Sequence, residues 1–153
     1  MFGLTQDWPL RLHRIIDHAA RHHPGREVVS RSVEGPTHRT TYAEVHGRAL
    51  RLAQRLAREG VRPGDRVATL AWNTWRHLEA WFGISGVGAV YHTVNPRLFP
   101  DQVSWILNHA ESRLVLADIS GKGISAALLM ASGAWWSWPM LCWRKASRRM
   151  MRW

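Results

Sequence analysis

The side chains best suited to chemistry in the middle of the chain are His92, Asn95 and Arg97, within "YHTVNPRL". An imidazole can move a proton, an amide can orient a polar group, and a guanidinium can grip a phosphate or carboxylate. They fall at or just beyond the C-terminal end of a predicted parallel strand, where open α/β sheets place ligands. Asn-Pro is also a common turn initiator, and that structural reading takes precedence. His18 and His22 are four apart. That spacing lets two imidazoles share a metal on one helix face. They lie off the apolar stripe with no third ligand implied, so they read as surface histidines. Glu79, Asp101 and Glu111 fall in helical segments without evident partners and read as solvated or capping charges rather than general bases. Trp72, Trp75, Trp81 and Trp105 read as core or half-buried packing rather than stacking platforms.

Two glycine-rich stretches invite a phosphate. "GISGVGA" (residues 83–89) has suitable glycines. It follows a helix and precedes a strand, the reverse of a dinucleotide fingerprint. Its small residues read instead as room for the helix end to pack against the sheet. "SGKGIS" (residues 120–125) sets Lys122 between glycines. It lacks the spacing of a P-loop. The single cysteine, Cys142, offers neither a disulfide nor a metal framework. No nucleophile–base pair can be assembled, and no catalytic, cofactor-binding or metal-ligating residue is assigned.

The elements that would position these residues follow from periodicity. Leu12, Ile15, Ile16, Ala19 and Ala20 recur at helical spacing. Pro9 is expected in the first turn of that helix, and "HHPG" is its stop. Residues 26–30 and 37–41 predict a hairpin around "VEGP". "TYAE" predicts a capping box in which Thr41 and Glu44 satisfy each other's backbone. The helix it opens carries Val45, Ala49, Leu52, Ala53 and Leu56, and Gly60 is placed to end it in a left-handed conformation. Strands are predicted at 66–71, 86–95 and 113–118. A helix capped by Asn73 or Thr74 and one opened by Pro100 lie between them. This order predicts an α/β fold: a partial doubly wound, largely parallel sheet preceded by a helix and a β-hairpin.

The regular pattern stops at Asp118, which divides the chain into residues 1–118 and a tail, 119–153. Residues 1–118 hold 15 of the 21 basic residues and all 11 acids, for a net charge of +4. The tail holds six basic residues and no acid, for +6, and "GAWWSWPMLCWRKASRRMMRW" packs five tryptophans into its end. The start of the chain lacks the basic-then-apolar pattern of a secretory signal, and a cytoplasmic location is expected.

Residues 41–118 resemble the N-terminal region of the AMP-forming acyl-CoA synthetases, the adenylate-forming acid–CoA ligases. The resemblance is carried by "TYAE", "GVRPGDRVA", "GVGAV", "HTVNPRLFPDQ" and "ILNHAESRLVLAD" in the family's order, the last two pointing to the medium- and long-chain fatty-acid branch. It extends over roughly residues 8–118. The resemblance implies a two-step reaction, in which Mg-ATP converts a fatty acid to acyl-adenylate and pyrophosphate, and CoA thiol then displaces AMP. The family's later phosphate loop, ribose-binding Asp and C-terminal lysine have no counterpart in this sequence. The expectation is therefore a fragment that binds no cofactor and is inactive alone, with ATP, Mg and CoA implied for the full-length family.

Arg outnumbers Lys 19 to two, and all nine His precede the tail. Such a bias suits a shifted reading frame in GC-rich DNA after Asp118. The alternative is a tail-anchored, non-catalytic binding module. Residues 123–143 carry no charge and precede the basic "RKASRR". A helix of that length can span a bilayer, which takes about 20 residues, and a basic flank suits its cytoplasmic side. That reading expects weak membrane contact through 123–153. Specific nucleic-acid binding is not expected, since the tail offers charge without a folded platform. Self-association into a homo-oligomer is left open.

Overall fold

The computed structural model describes residues 3, 7–31, 35–117, 141–144 and 150–152. Helix α1 (His13–His22) leads into a hairpin of β1 (Glu27–Arg31) and β2 (Thr37–Thr41). There follow α2 (Tyr42–Arg58), β3 (Arg66–Leu70), α3 (Trp75–Gly86), β4 (Val90–Thr93), α4 (Pro100–His109) and β5 (Leu114–Ala117). Two short strands, β6 (Leu141–Arg144) and β7 (Met150–Arg152), complete the described chain.

The main sheet has the order β4-β3-β5-β6-β7. Strand β3 pairs in parallel with both β4 and β5, so the two crossovers place these strands on opposite sides of it. Strands β6 and β7 extend the sheet in antiparallel fashion, Ala117 facing Leu141. Periodicity that ends at Asp118 does not announce these two strands. Residues 118–140 lie outside the described residues, and Lys122 with them. So does most of the predicted 123–143 span, whose last three residues begin β6. Among the described residues no helix is long and apolar enough to cross a membrane.

Alternation along the strands sends side chains to two faces. Val67, Leu114 and Leu116 meet Leu52, Leu56, Ala80 and Ile84 of α2 and α3. Ala68, Leu70, Val115 and Ala117 meet Val103 of α4, with Ile106 and Leu107. Helix α1 forms a further layer outside α2 and α3, where Ile16 packs on Val45, Ala49 and Phe82. Only Ile16 of its predicted stripe is buried, while Leu12 and Ile15 are exposed because α1 is covered on one side alone. Pro9 precedes the helix rather than sitting in its first turn.

The capping box forms as expected. Thr41 N–H donates to Glu44 Oε2 at 2.9 Å, and Glu44 N–H donates to Thr41 Oγ1 at 3.3 Å. The hydroxyl of Thr40 adds a bond to the same carboxylate oxygen at 2.8 Å. These hydrogen bonds, that from Thr40 foremost, hold the Glu44 carboxyl below its ordinary range. "GISGVGA" plays a packing role, but toward a different neighbour than expected. A Cβ on Gly83 would lie 2.9 Å from Leu52 and 3.0 Å from the Ala49 carbonyl, so the glycine lets α3 cross α2 closely.

Three helices end alike. In α2, Gly60 N–H donates to Ala57 O and Val61 N–H to Leu56 O. In α3, Gly88 and Ala89 donate to Ser85 O and Ile84 O. In α4, Glu111 and Ser112 donate to Asn108 O and Leu107 O. This is the paired bonding of a Schellman motif. Its left-handed residue is Gly60, Gly88 and Glu111 in turn, with φ of 76°, 75° and 49°.

Candidate functional site

A chain of hydrogen bonds runs from the sheet to the start of α3. Thr69, fully buried in β3, points to the α2/α3 side, and its Oγ1 lies 3.0 Å from His77 Nε2. His77 Nδ1 lies 3.3 Å from Asn73 Oδ1. An amide oxygen accepts only, so the imidazole donates to it from Nδ1. Tyr91 of β4 bonds to Thr69 in turn, and its ring lies 5.7 Å from that of His77. Burial raises the Tyr91 phenol above its ordinary value, and the Thr69 bond partly opposes this. Tyr91, Thr69, His77 and Asn73 thus form one run of polar contacts.

This run borders a cavity of about 370 Å³ between β1, α3 and β4. Val28, Leu78 and Trp81 form an apolar wall, and Ser30, Asn73 and His77 supply polar groups. Such a lining can seat a small molecule with a polar end, oriented by amide and imidazole. It sits beside the C-terminal ends of β3 and β4. Sequence reasoning does not single out Thr69, His77 or Tyr91. The one local signal is Asn73 and His77 in "NTWRH", one helical turn apart and so able to interact.

The predicted residues disperse. Asn95 and Arg97 are exposed just past the end of β4, as expected, and Asn95 Oδ1 accepts from Arg97 N–H at 2.9 Å. The Arg97 guanidinium lies 5.6 Å from the ring centroid of Trp72. His92 does not join them. It is inside β4, opposite Ala68, and its Nδ1 lies 3.2 Å from Ser112 Oγ, toward the α4 side. His18 and His22 are exposed and 4.4 Å apart between ring centroids.

Two readings are corrected, those of Glu79 and Trp105, and that of Glu111 gains a partner. Glu79 is not solvated: it is 1% exposed, and Arg48 Nε donates to its Oε1 at 2.7 Å. Burial raises its carboxyl above the ordinary value against the pull of Arg48. Glu111, exposed at the end of α4, has a partner in Arg66 at 2.9 Å. Trp105 is neither core nor half-buried but 63% exposed, its ring stacked on His109 at 4.6 Å. Trp72, Trp75 and Trp81 are buried or half-buried, and Asp101 is exposed in the first turn of α4.

The sequence profile of the AMP-binding enzymes matches residues 16–134. This chain belongs to the AMP-binding enzyme family. It is 53% identical over 112 residues to the long-chain-fatty-acid–CoA ligase of Thermus thermophilus, covering 73% of this chain and 21% of that protein. It is 48% identical over 118 residues to the 3-methylmercaptopropionyl-CoA ligase of Ruegeria pomeroyi, covering 77% and 22%. Among solved structures, a Mycobacterium tuberculosis fatty acyl CoA synthetase superposes with a TM-score of 0.68 at 28% identity, over 82% of this chain and 24% of that one. The expected kinship with the N-terminal region of acyl-CoA synthetases is thus shown. The chain spans about a fifth of the curated ligases it matches.

ATP and CoA would be substrates of such a ligase, and Mg its metal. Among the described residues no three His, Cys, Asp or Glu side chains gather to hold a metal ion. Mg is ordinarily held by one or two carboxylates together with substrate phosphates, and the described lining of the cavity beside Asn73 and His77 has no carboxylate.

Proposed function

We propose that this chain is the N-terminal part of a medium- or long-chain fatty-acid–CoA ligase and that it is inactive by itself. In the reaction of that reading, a fatty carboxylate attacks the α-phosphorus of ATP and pyrophosphate leaves. CoA thiol then attacks the acyl carbonyl and AMP leaves. The observation that carries the reading is the 53% identity to a long-chain-fatty-acid–CoA ligase of which the chain spans only 21%. The geometry is consistent with it. The described residues build a parallel core and a cavity with orienting groups, Asn73 and His77.

In this reading residues 1–118 are the ligase portion and 119–153 the tail, whose first residues, to 134, still match the family profile. The location is cytoplasmic, in keeping with a chain that has a single cysteine. The purified chain is expected to give no ATP–pyrophosphate exchange above a blank with medium- or long-chain fatty acids. Exchange that depends on the fatty acid would overturn the inactivity. The origin of the tail is tested separately by translating the other two frames of the DNA after Asp118. If neither encodes a glycine-rich phosphate loop, the shifted-frame account fails.

A further inference from the structure

A second cavity, of about 620 Å³, lies between β2, the first turns of α2 and the start of α3. Its lining is strongly basic: His38, Arg39, Arg48, Arg51 and Arg76 surround it, with Trp75. The four guanidiniums are not equivalent. Arg39 is paired with Glu27 at 2.6 Å, and Arg48 with buried Glu79 at 2.7 Å. Arg51 and Arg76 form no close ion pair among the described residues, though both act electrostatically on the Glu79 carboxyl. The one acid in the lining, Glu44, has its Oε2 committed to Thr40 and Thr41 at the start of α2.

The groove is held in shape. The His38 ring stacks on Trp75 with centroids 3.8 Å apart, and the Arg76 guanidinium lies 4.4 Å from the same ring centroid. This stack ties β2 to α3 and keeps the Arg76 side chain, which would otherwise sample many rotamers, over a buried aromatic. Arg48 is anchored from below by Glu79. Four arginines around a concave surface outnumber the acids beside them, Glu27, Glu44 and Glu79, and form a field that attracts oxyanions. With the Trp75 ring already engaged, the groove offers charge and forked N–H donors rather than a platform for a base.

We propose that this groove is an anion-binding site for compact polyphosphate groups, with Arg51 and Arg76 as its principal ligands and Arg48 and Arg39 supporting. A pyrophosphate-like group suits it better than a single carboxylate, because several guanidiniums can each grip separate oxygens. The inference stands apart from the ligase reading, since it rests on this groove and not on the cavity beside Thr69 and His77.

Isothermal titration of the chain with inorganic pyrophosphate tests it, with AMP, sodium acetate and sodium chloride titrated in parallel. Saturable pyrophosphate binding is expected, weakening with salt and falling about tenfold in each of Arg51→Gln and Arg76→Gln. Arg58→Gln, outside the groove, is expected to leave it unchanged. AMP binding more tightly than pyrophosphate would overturn the preference for a compact polyphosphate and assign the site to a nucleotide. Equal losses in Arg51→Gln and Arg58→Gln would overturn the site, leaving only diffuse attraction to a basic chain. Circular dichroism and the thermal midpoint of each variant separate lost binding from lost fold. Arg51→Lys and Arg76→Lys are expected to retain part of the affinity if charge is what the site supplies.

Discussion

The two ends of the parallel strands are built differently. At the end where the strands begin, the chain is pinned. The three Schellman turns, at Gly60, Gly88 and Glu111, all fall there. Gly64 N–H, in the turn before β3, donates to Gly88 O and so ties that turn to the end of α3. Arg66 Nε donates to the Ala110 carbonyl at 2.8 Å and its Nη2 pairs with Glu111, while Arg113 pairs with Asp65 at 3.2 Å. At the end where the strands finish, polar side chains gather, and Asn73 and His77 line a cavity. Asn73, His77, Asn95 and Arg97 are there, each with local hydrogen-bond or ring contacts. Parallel crossovers produce this asymmetry, because every helix-to-strand turn falls at one end and every strand-to-helix loop at the other. One end is free to specialise in closure, and the other in ligands.

That contrast can be broken by substitution. The largest effect is expected from Leu56→Ala, because Leu56 near the end of α2 is both a core side chain and a Schellman acceptor. A loss of about 2–5 kcal/mol by urea unfolding is expected. A loss no greater than that of an exposed substitution would mean that the pinned end contributes little. Gly88→Ala should come next, costing about 1–2 kcal/mol for a Cβ in the left-handed region. That Cβ would also meet Pro63 at 3.3 Å. At the opposite end, Asn95 is exposed and its side chain bonds only a neighbouring backbone N–H. Asn95→Ala should therefore stay within about 0.5 kcal/mol of the parent chain. Equal costs for the Gly88 and Asn95 variants would erase the distinction between the ends.

The smallest effect is a pH slope. The folded-state pKa of Glu79 is raised from the ordinary 4.5 by burial. Its stabilising contribution is therefore complete below the ordinary value and lost as pH rises through the folded one. Glu44 has the opposite sign, because its folded value is lowered. It contributes above the ordinary value and loses that contribution as pH falls through the folded one. Glu79→Gln should therefore remove a decline in stability on the alkaline side of the ordinary value. Urea midpoints measured from moderately acid to neutral pH check this. An unchanged slope would mean that the Arg48 pair balances the burial of Glu79.

The legibility of each feature follows the range of its interactions. Thr41 and Glu44 are legible as a cap because both partners lie within one turn, and Gly60 because a helix must stop where a left-handed residue is easiest. Gly88 and Glu111 perform the same task, but by sequence the first reads as packing and the second as a surface acid. A few residues alone do not distinguish a closing turn from any other short stretch when the following strand is short.

What the sequence by itself determined was the order of helices and strands, the parallel architecture and the family. These follow from local periodicity and from motifs read in line. What only the tertiary structure decided was which distant polar groups meet. Glu79 becomes a buried, paired carboxyl because α2, far earlier in the chain, brings Arg48 to it. Thr69, His77 and Tyr91 form one run because β4 lies beside β3 and α3 folds back over both. The basic groove exists because β2 carries His38 onto Trp75. Local propensity acts over one or two turns, whereas burial and electrostatics act through whatever the chain's path makes adjacent.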